Sequence, residues 1–153
     1  MSIHVTTATQ EDLPDVAVLF DRYRVFYRQS SDLASGRAFL ETRLAQGDSL
    51  ILLARTNEGA AAGFTQIYPT FSSVRMARLW ILNDLYVDAP YRQQGVASAL
   101  LDGAVKSAQA QGVGMLLLET EDSNITAQRL YQKHGWTSVN GTRHYELSVD
   151  SGR

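Results

Sequence analysis

The segment Asp88-Ala89-Pro90-Tyr91-Arg92-Gln93-Gln94-Gly95-Val96-Ala97 holds the residue types and spacing best suited to chemistry in this chain. It follows a strand-like run and opens a stretch of helical periodicity, so a strand passes through a glycine turn into a helix N-terminus. The first N–H groups of a helix lack internal acceptors, and the helix dipole adds positive potential there, an arrangement that suits phosphate. Gly95 has no Cβ to hold such a group away from the backbone. Ala97 and Ala99 keep the first helical turn small. The same residues also fit a tight turn with one solvated arginine. The segment is not a P-loop, since no Gly-Lys-Ser/Thr follows, and it lacks the Gly-x-Gly-x-x-Gly of dinucleotide folds. His4, His134 and His144 are scattered over three elements without metal-ligand spacing, so no metal site is expected.

Other elements must position that turn. Ile3 to Ala8 reads as a short strand, and Thr9 with Asp12 three residues on gives a helix-start pattern. Leu13, Val16, Leu19, Phe20, Tyr23 and Tyr27 then recur at helical spacing. A second helix is predicted from about Ser35 to Gln46, with Gly47 as its stop. Leu50 to Ala54, a turn at Asn57-Glu58-Gly59, and Ala62 to Tyr68 read as a strand pair, and Ala77 to Val87 as a third long strand. Ala97, Leu100, Leu101, Ala104, Val105 and Ala108 form a helical stripe between Gly95 and Gln111, ended by Gly112. Val113 to Glu121 is predicted as a buried strand. Ala127, Leu130, Tyr131 and His134 mark another helix, and a hairpin is predicted to turn at Asn140-Gly141 and end in His144 to Val149. The strand–helix–strand unit over 77–121 requires two parallel strands. The fold expected is α/β of the α+β type, a mostly antiparallel mixed sheet with one parallel pair.

Composition bounds the remaining possibilities. The chain has 153 residues, a formal net charge of −2, 44% hydrophobic and 20% charged residues, and no cysteine. That suits one domain, expected over 1–150, with enough apolar content for a core. Without cysteine there is no disulfide, thiolate metal site or thiol nucleophile. The charge balance argues against a nucleic-acid partner. No apolar run approaches the roughly 18 residues of a membrane span, and Met1-Ser2-Ile3-His4 does not open like a signal peptide. A cytoplasmic protein with no membrane partner is expected.

A second motif lies 29 residues after Gly95: Asn124-Ile125-Thr126-Ala127-Gln128-Arg129-Leu130-Tyr131-Gln132-Lys133-His134-Gly135-Trp136. Together with the loop it resembles the GNAT superfamily of N-acetyltransferases. The family's Gln/Arg-x-x-Gly-x-Gly/Ala is matched by Arg92, Gly95 and Ala97. Its Asn-x-x-Ala-x-x-Leu-Tyr-x-x-x-Gly-Phe is matched by Asn124, Ala127, Leu130, Tyr131 and Gly135, with Trp136 for the last aromatic. The resemblance covers almost the whole chain. It implies the acetyl-CoA-binding fold of that family, with about four helices and a central parallel pair splayed by the cofactor. It implies acetyl-CoA as co-substrate and no metal. By similarity, backbone groups of Arg92, Gln93, Gln94, Gly95, Val96, Ala97 and Ser98 hold the pyrophosphate. Leu85 and Val87 pair with the pantetheine arm like an added strand, and Asn124 bonds it from the other wall. Asn124 also suits a helix N-cap, and both roles can hold at once.

The resemblance further implies that Tyr131 donates a proton to the departing thiolate; its place on an apolar stripe equally fits a core aromatic. An alkylamine acceptor must lose a proton before it attacks, and Asp84, Glu119, Glu121 and Asp122 are the candidate carboxylates. Leu82-Asn83-Asp84-Leu85-Tyr86-Val87 is similar to the corresponding strand of diamine and polyamine acetyltransferases. Their basic glutamate is replaced here by Asn83, which has no useful basicity, so Asp84 is taken as ammonium partner or base. The alternative for Asp84 is a bond to a neighbouring loop. Tyr27, Asp84 and Glu119 are the substrate-binding candidates, and Tyr23 and Tyr27 also fit the core face of their helix. The expected activity is transfer of acetyl to a primary amine of a small molecule by direct attack. Protein lysine or N-terminal acetylation, and a non-catalytic acyl-CoA sensor, are the alternatives. A homodimer is expected, paired through the segment 144–149, as in many members of the family.

Overall fold

The computed structural model describes residues 2–150. Its strands are β1 (Ile3–Thr7), β2 (Leu50–Thr56), β3 (Ala61–Ser72), β4 (Ala77–Val87) and β5 (Leu116–Leu117). Its helices are α1 (Leu13–Phe26), α2 (Leu33–Gln46), α3 (Val96–Ala110) and α4 (Ile125–Lys133). The five strands form one sheet in the order β1-β2-β3-β4-β5, antiparallel up to β4 and parallel between β4 and β5. Two compact units result, one up to Thr120 and one from Glu121 onward.

Periodicity explains how the first unit packs. Ile51 and Leu53 join Phe64 and Tyr86 against Leu13, Val16, Leu19 and Phe20 of α1 and Leu40 of α2. Successive strand residues face opposite sides, so Leu52, also buried, meets α3 on the other face. Apolar residues on both faces of β2 account for its unbroken run Leu50–Ala54. Helix α2 starts earlier than Ser35, because the Asp32 carboxylate caps it by accepting from Ser35 N–H at 3.1 Å. Gly47, at φ 63°, ends it where the sequence predicts. Gly63 is required by contact: a Cβ there would lie 2.6 Å from the Tyr86 carbonyl oxygen and 3.1 Å from Val96 Cγ1.

The feature that shapes the site is an extra residue in β4. Gln66 pairs with Asp84 but the next residue, Ile67, pairs with Leu82, so Asn83 bulges out of the ladder. Paired residues share a face, and Gln66 and Ile67 are on opposite faces. Leu82 and Asp84 are therefore both buried, on opposite sides of the sheet. The bulge also reverses which edge the backbone addresses. Before it, Trp80 N–H donates toward β5, to Met115 O at 3.0 Å. After it, Asp88 N–H donates toward β3, to Ala62 O at 2.9 Å. Alternation then turns the backbone groups of Leu85 and Val87 to the edge away from β3. β5 pairs with β4 only at Trp80↔Leu116 and Ile81↔Leu117, so among the described residues no strand pairs with that edge.

Two sequence expectations need correction. The strand predicted over Val113–Glu121 is regular only at Leu116–Leu117, because its pairing with β4 ends at Ile81↔Leu117. The expected parallel pair is β4 and β5, with β5 last in the sheet's order among the described residues. In the second unit, α4 is followed by residues 137–150 without a strand, and Tyr145, Leu147 and Val149 are exposed. Alternation marks a face that a strand would bury, but a ladder also needs a partner for its N–H and C=O groups. Among the described residues no strand pairs with 144–149. No helix among the described residues is long and apolar enough to cross a membrane.

Candidate active site

The loop after β4 combines a short 3-10 turn, two left-handed residues and a helix N-terminus. A short 3-10 turn at Ala89–Tyr91 leads to Gln93, at φ 61°, and Gly95, at φ 83°. A left-handed glutamine stores strain, and such residues concentrate where backbone groups are aimed at a ligand. A Cβ on Gly95 would meet nothing within 4 Å, so the glycine answers to its backbone angle and leaves open space in front of the helix. The first bond of α3 runs from Ala99 N–H to Gly95 O, which leaves the Val96 and Ala97 N–H groups without acceptors inside the helix. Arg92 is tied back: its Nε donates to Val87 O at 3.0 Å, and its guanidinium lies 5.6 Å from the Phe26 ring centroid and 5.8 Å from that of Tyr86. Asp88, buried at the start of the loop, pairs with Arg22 of α1 and accepts from the Tyr86 hydroxyl at 3.1 Å. Helix α1 is thereby fastened to the loop.

One turn of β4 earlier, the Asp84 carboxylate lies buried among polar partners. Oδ2 accepts from Gln66 Nε2 at 3.0 Å and Oδ1 from Asn83 Nδ2 at 3.1 Å, and the Tyr23 hydroxyl is a third hydrogen-bond partner. Burial pushes the Asp84 carboxyl above its ordinary range, and the three hydrogen bonds offset part of that rise. Burial and the nearby Asp84 push the Tyr68 hydroxyl up to about 12, and the Tyr23 hydroxyl is raised by the same causes. The Tyr23 ring packs against Phe20, Phe64, Tyr86 and Tyr27, so it serves the core with its ring and the carboxylate with its hydroxyl. A buried carboxylate beside neutral tyrosines suits a cationic amine.

The acetyltransferase (GNAT) family pattern matches residues 15–136. The chain belongs to the GNAT acetyltransferase family. It is 44% identical over 147 residues to the uncharacterized N-acetyltransferase YhfO of Bacillus subtilis (strain 168), covering 96% of this chain and 98% of that protein. A probable acetyltransferase of Haemophilus influenzae is 31% identical over 142 residues, covering 93% and 95% of the two chains. Among solved structures, a probable acetyltransferase superposes with a TM-score of 0.90 at 38% identity over 97% of this chain and 99% of that one. The protein is thus a GNAT N-acetyltransferase that uses acyl-CoA, as the two motifs imply.

Within this GNAT chain, the first unit brings together Asp84, Leu85, Val87 and the loop Arg92–Ser98 along one strand and its continuation. Tyr27, at the end of α1, is exposed with its ring 5.1 Å from that of Tyr23, so it is not part of the core. Glu119 is exposed and lies beyond the end of β5, outside regular structure. Asn124 and Tyr131 belong to the second unit. The Asn124 side chain caps α4 by accepting from Ala127 N–H at 3.1 Å, which leaves its amide nitrogen as the end able to donate. Tyr131 is half-buried on the same stripe as Ala127, Leu130 and His134, its ring centroid 6.1 Å from that of Trp136. No group of metal-ligating side chains occurs among the described residues. Sequence reasoning missed Gln66 and the Arg22–Asp88–Tyr86 cluster. The only available signal was a glutamine amid apolar strand residues, which periodicity alone assigns to a solvent face.

Gly95→Glu should weaken acetyl-CoA binding about tenfold or more, since it puts a carboxylate at the helix N-terminus on a backbone angle that disfavours side chains. Calorimetric titration measures it, and wild-type affinity would remove the loop from the cofactor site.

Proposed function

We propose that the protein transfers the acetyl group of acetyl-CoA to a primary amine of a small molecule by direct attack, with Asp84 as the acceptor's partner. The observation that carries this reading is the placement of Asp84: buried, ringed by tyrosines, and next in sequence to Leu85, whose backbone faces the open edge of β4. In this reading the pantetheine arm takes hydrogen bonds from that edge. Its phosphates lie on the Gly95 turn, and the Asn124 amide nitrogen supplies a further donor. The acceptor ammonium is held by Asp84, with Tyr27 and Glu119 toward the outer part of its path. Its proton passes to Asp84, directly or through water, and the freed nitrogen lone pair attacks the thioester carbonyl. The N–C bond forms, the C–S bond breaks, the CoA thiolate takes a proton from Tyr131, and the second ammonium proton leaves the nitrogen as the amide forms and passes through water to restore the Tyr131 hydroxyl.

A small acceptor is favoured because the carboxylate is sunk to 6% exposure behind aromatic rings, where a slender alkylammonium enters more readily than a folded surface. We also propose a homodimer, supported by the exposed alternation Tyr145, Leu147, Val149. Sedimentation equilibrium should give twice the chain mass, and a monomer would contradict this.

The activity is tested by CoA release with polyamines, amino acids, aminoglycosides and lysine peptides as acceptors. Turnover is expected with a small amine, and turnover confined to peptides would reassign the acceptor to protein. With the active amine, Asp84→Asn should lower kcat/KM about 100-fold or more while acetyl-CoA binding is retained. Tyr131→Phe should lower kcat about tenfold with acetyl-CoA affinity unchanged, because a thiolate is already a fair leaving group. Wild-type rates in either variant would contradict the role given to that residue.

A further inference from the structure

Gln66 occupies a core position on β3 between the buried Phe64 and Ile67, and its own side chain is fully buried. An aliphatic residue would fill that site without the desolvation that an amide suffers. Both ends of the amide are engaged. Nε2 donates to Asp84 Oδ2 at 3.0 Å, and Oε1 accepts from Ser49 Oγ at 3.1 Å. An ionised carboxylate can only accept, so the amide has one consistent orientation, and the Ser49 hydroxyl completes it. Ser49 lies between α2 and β2, outside regular structure. The chain Ser49–Gln66–Asp84 therefore ends on the buried carboxylate at the bulge.

We propose that Gln66, oriented by Ser49, is a positioning residue for acetyl transfer that fixes the Asp84 carboxylate and keeps it ionised in its buried site. The inference rests on the reading of Asp84 as the acceptor's partner. The groups facing the carboxylate are Tyr23 from α1, Gln66 and Tyr68 from β3, and Asn83 from β4. Arg43 and Asp48, at and beyond the end of α2, act on Tyr68. Both tyrosine hydroxyls are raised, so they stay neutral through the neutral and acid range and Asp84 is the member that titrates there. Of the three hydrogen bonds opposing the effect of burial on Asp84, that from Gln66 is the largest. Protonated Asp84 can neither hold an ammonium nor accept its proton, so activity falls as pH drops through its titration. Removing the Gln66 donor raises that titration point and moves the acidic limb to higher pH.

The test follows the Asp84 side-chain carboxyl by carbon-13 NMR against pH in the wild type, Gln66→Leu and Ser49→Ala, with Asp84→Asn to assign the signal. The acidic limb of kcat/KM is measured alongside with the amine that turns over. Gln66→Leu should raise the NMR midpoint by about one pH unit, Ser49→Ala should raise it by less, and the kinetic limb should follow. An unmoved NMR midpoint in Gln66→Leu overturns the positioning role and leaves the reading of Asp84 intact. A midpoint that moves while the kinetic limb stays put overturns the reading of Asp84 and this inference with it. Should Gln66→Leu fail to fold, Ser49→Ala decides alone, and an unmoved midpoint there overturns the proposal.

Discussion

A strand that loses its neighbour halfway along must leave backbone N–H and C=O groups without protein partners, and the arrangement of this molecule follows from how β4 meets that condition. At Trp80 and Ile81 its outer edge is paired with β5. At Asn83 an extra residue enters, and the backbone beyond it presents Leu85 and Val87 to an edge that β5 no longer lines. Unpaired strand edges invite an added strand. Here the exposed length is short, and the Val87 carbonyl is shielded by Arg92, so little remains for a wrong partner. Six residues after Val87 the same chain reaches the Gln93–Gly95 turn and the N-terminal end of α3. One continuous segment thus carries an open strand edge and then a left-handed turn into a helix N-terminus.

The bulge has a second consequence on the opposite side of the strand. It allows Asp84 to be buried beside the α1–α2 core while Leu82 is buried on the other face. Burial disfavours the charged carboxylate, and hydrogen bonds from Gln66, Tyr23 and Asn83 offset part of that cost. Helix α1 contributes to both regions from adjacent residues: Tyr23 reaches Asp84, and Arg22 reaches Asp88 at the root of the loop. Helix α1 thereby ties the surroundings of Asp84 to the root of the loop.

The sequence makes much of this legible, and where it fails the reason is physical. Helix stripes, Gly47, Gly95 and the long strand 77–87 are written in local periodicity and local backbone demands, so they can be read one segment at a time. The two family motifs were legible for the same reason, since each is contiguous. The bulge at Asn83 was not, because an insertion in a ladder is defined by the partner strand, and nothing in Leu82-Asn83-Asp84 announces it. Gln66 escaped notice because its burial depends on Asp84, 18 residues away in sequence. The apolar run at Met115–Leu118 suggested a longer β5 than forms, since strand length there is limited by the departing neighbour. Tyr145, Leu147 and Val149 show that alternation without a partner does not make a strand.

The account stands on the open edge of β4 being the place where CoA binds. Amide hydrogen exchange at Leu85 and Val87, measured with and without saturating CoA, tests that most directly. The expected result is rapid exchange at both amides in the free protein and marked slowing at both when CoA is added. Amides already protected without CoA, or unchanged in its presence, would contradict the account.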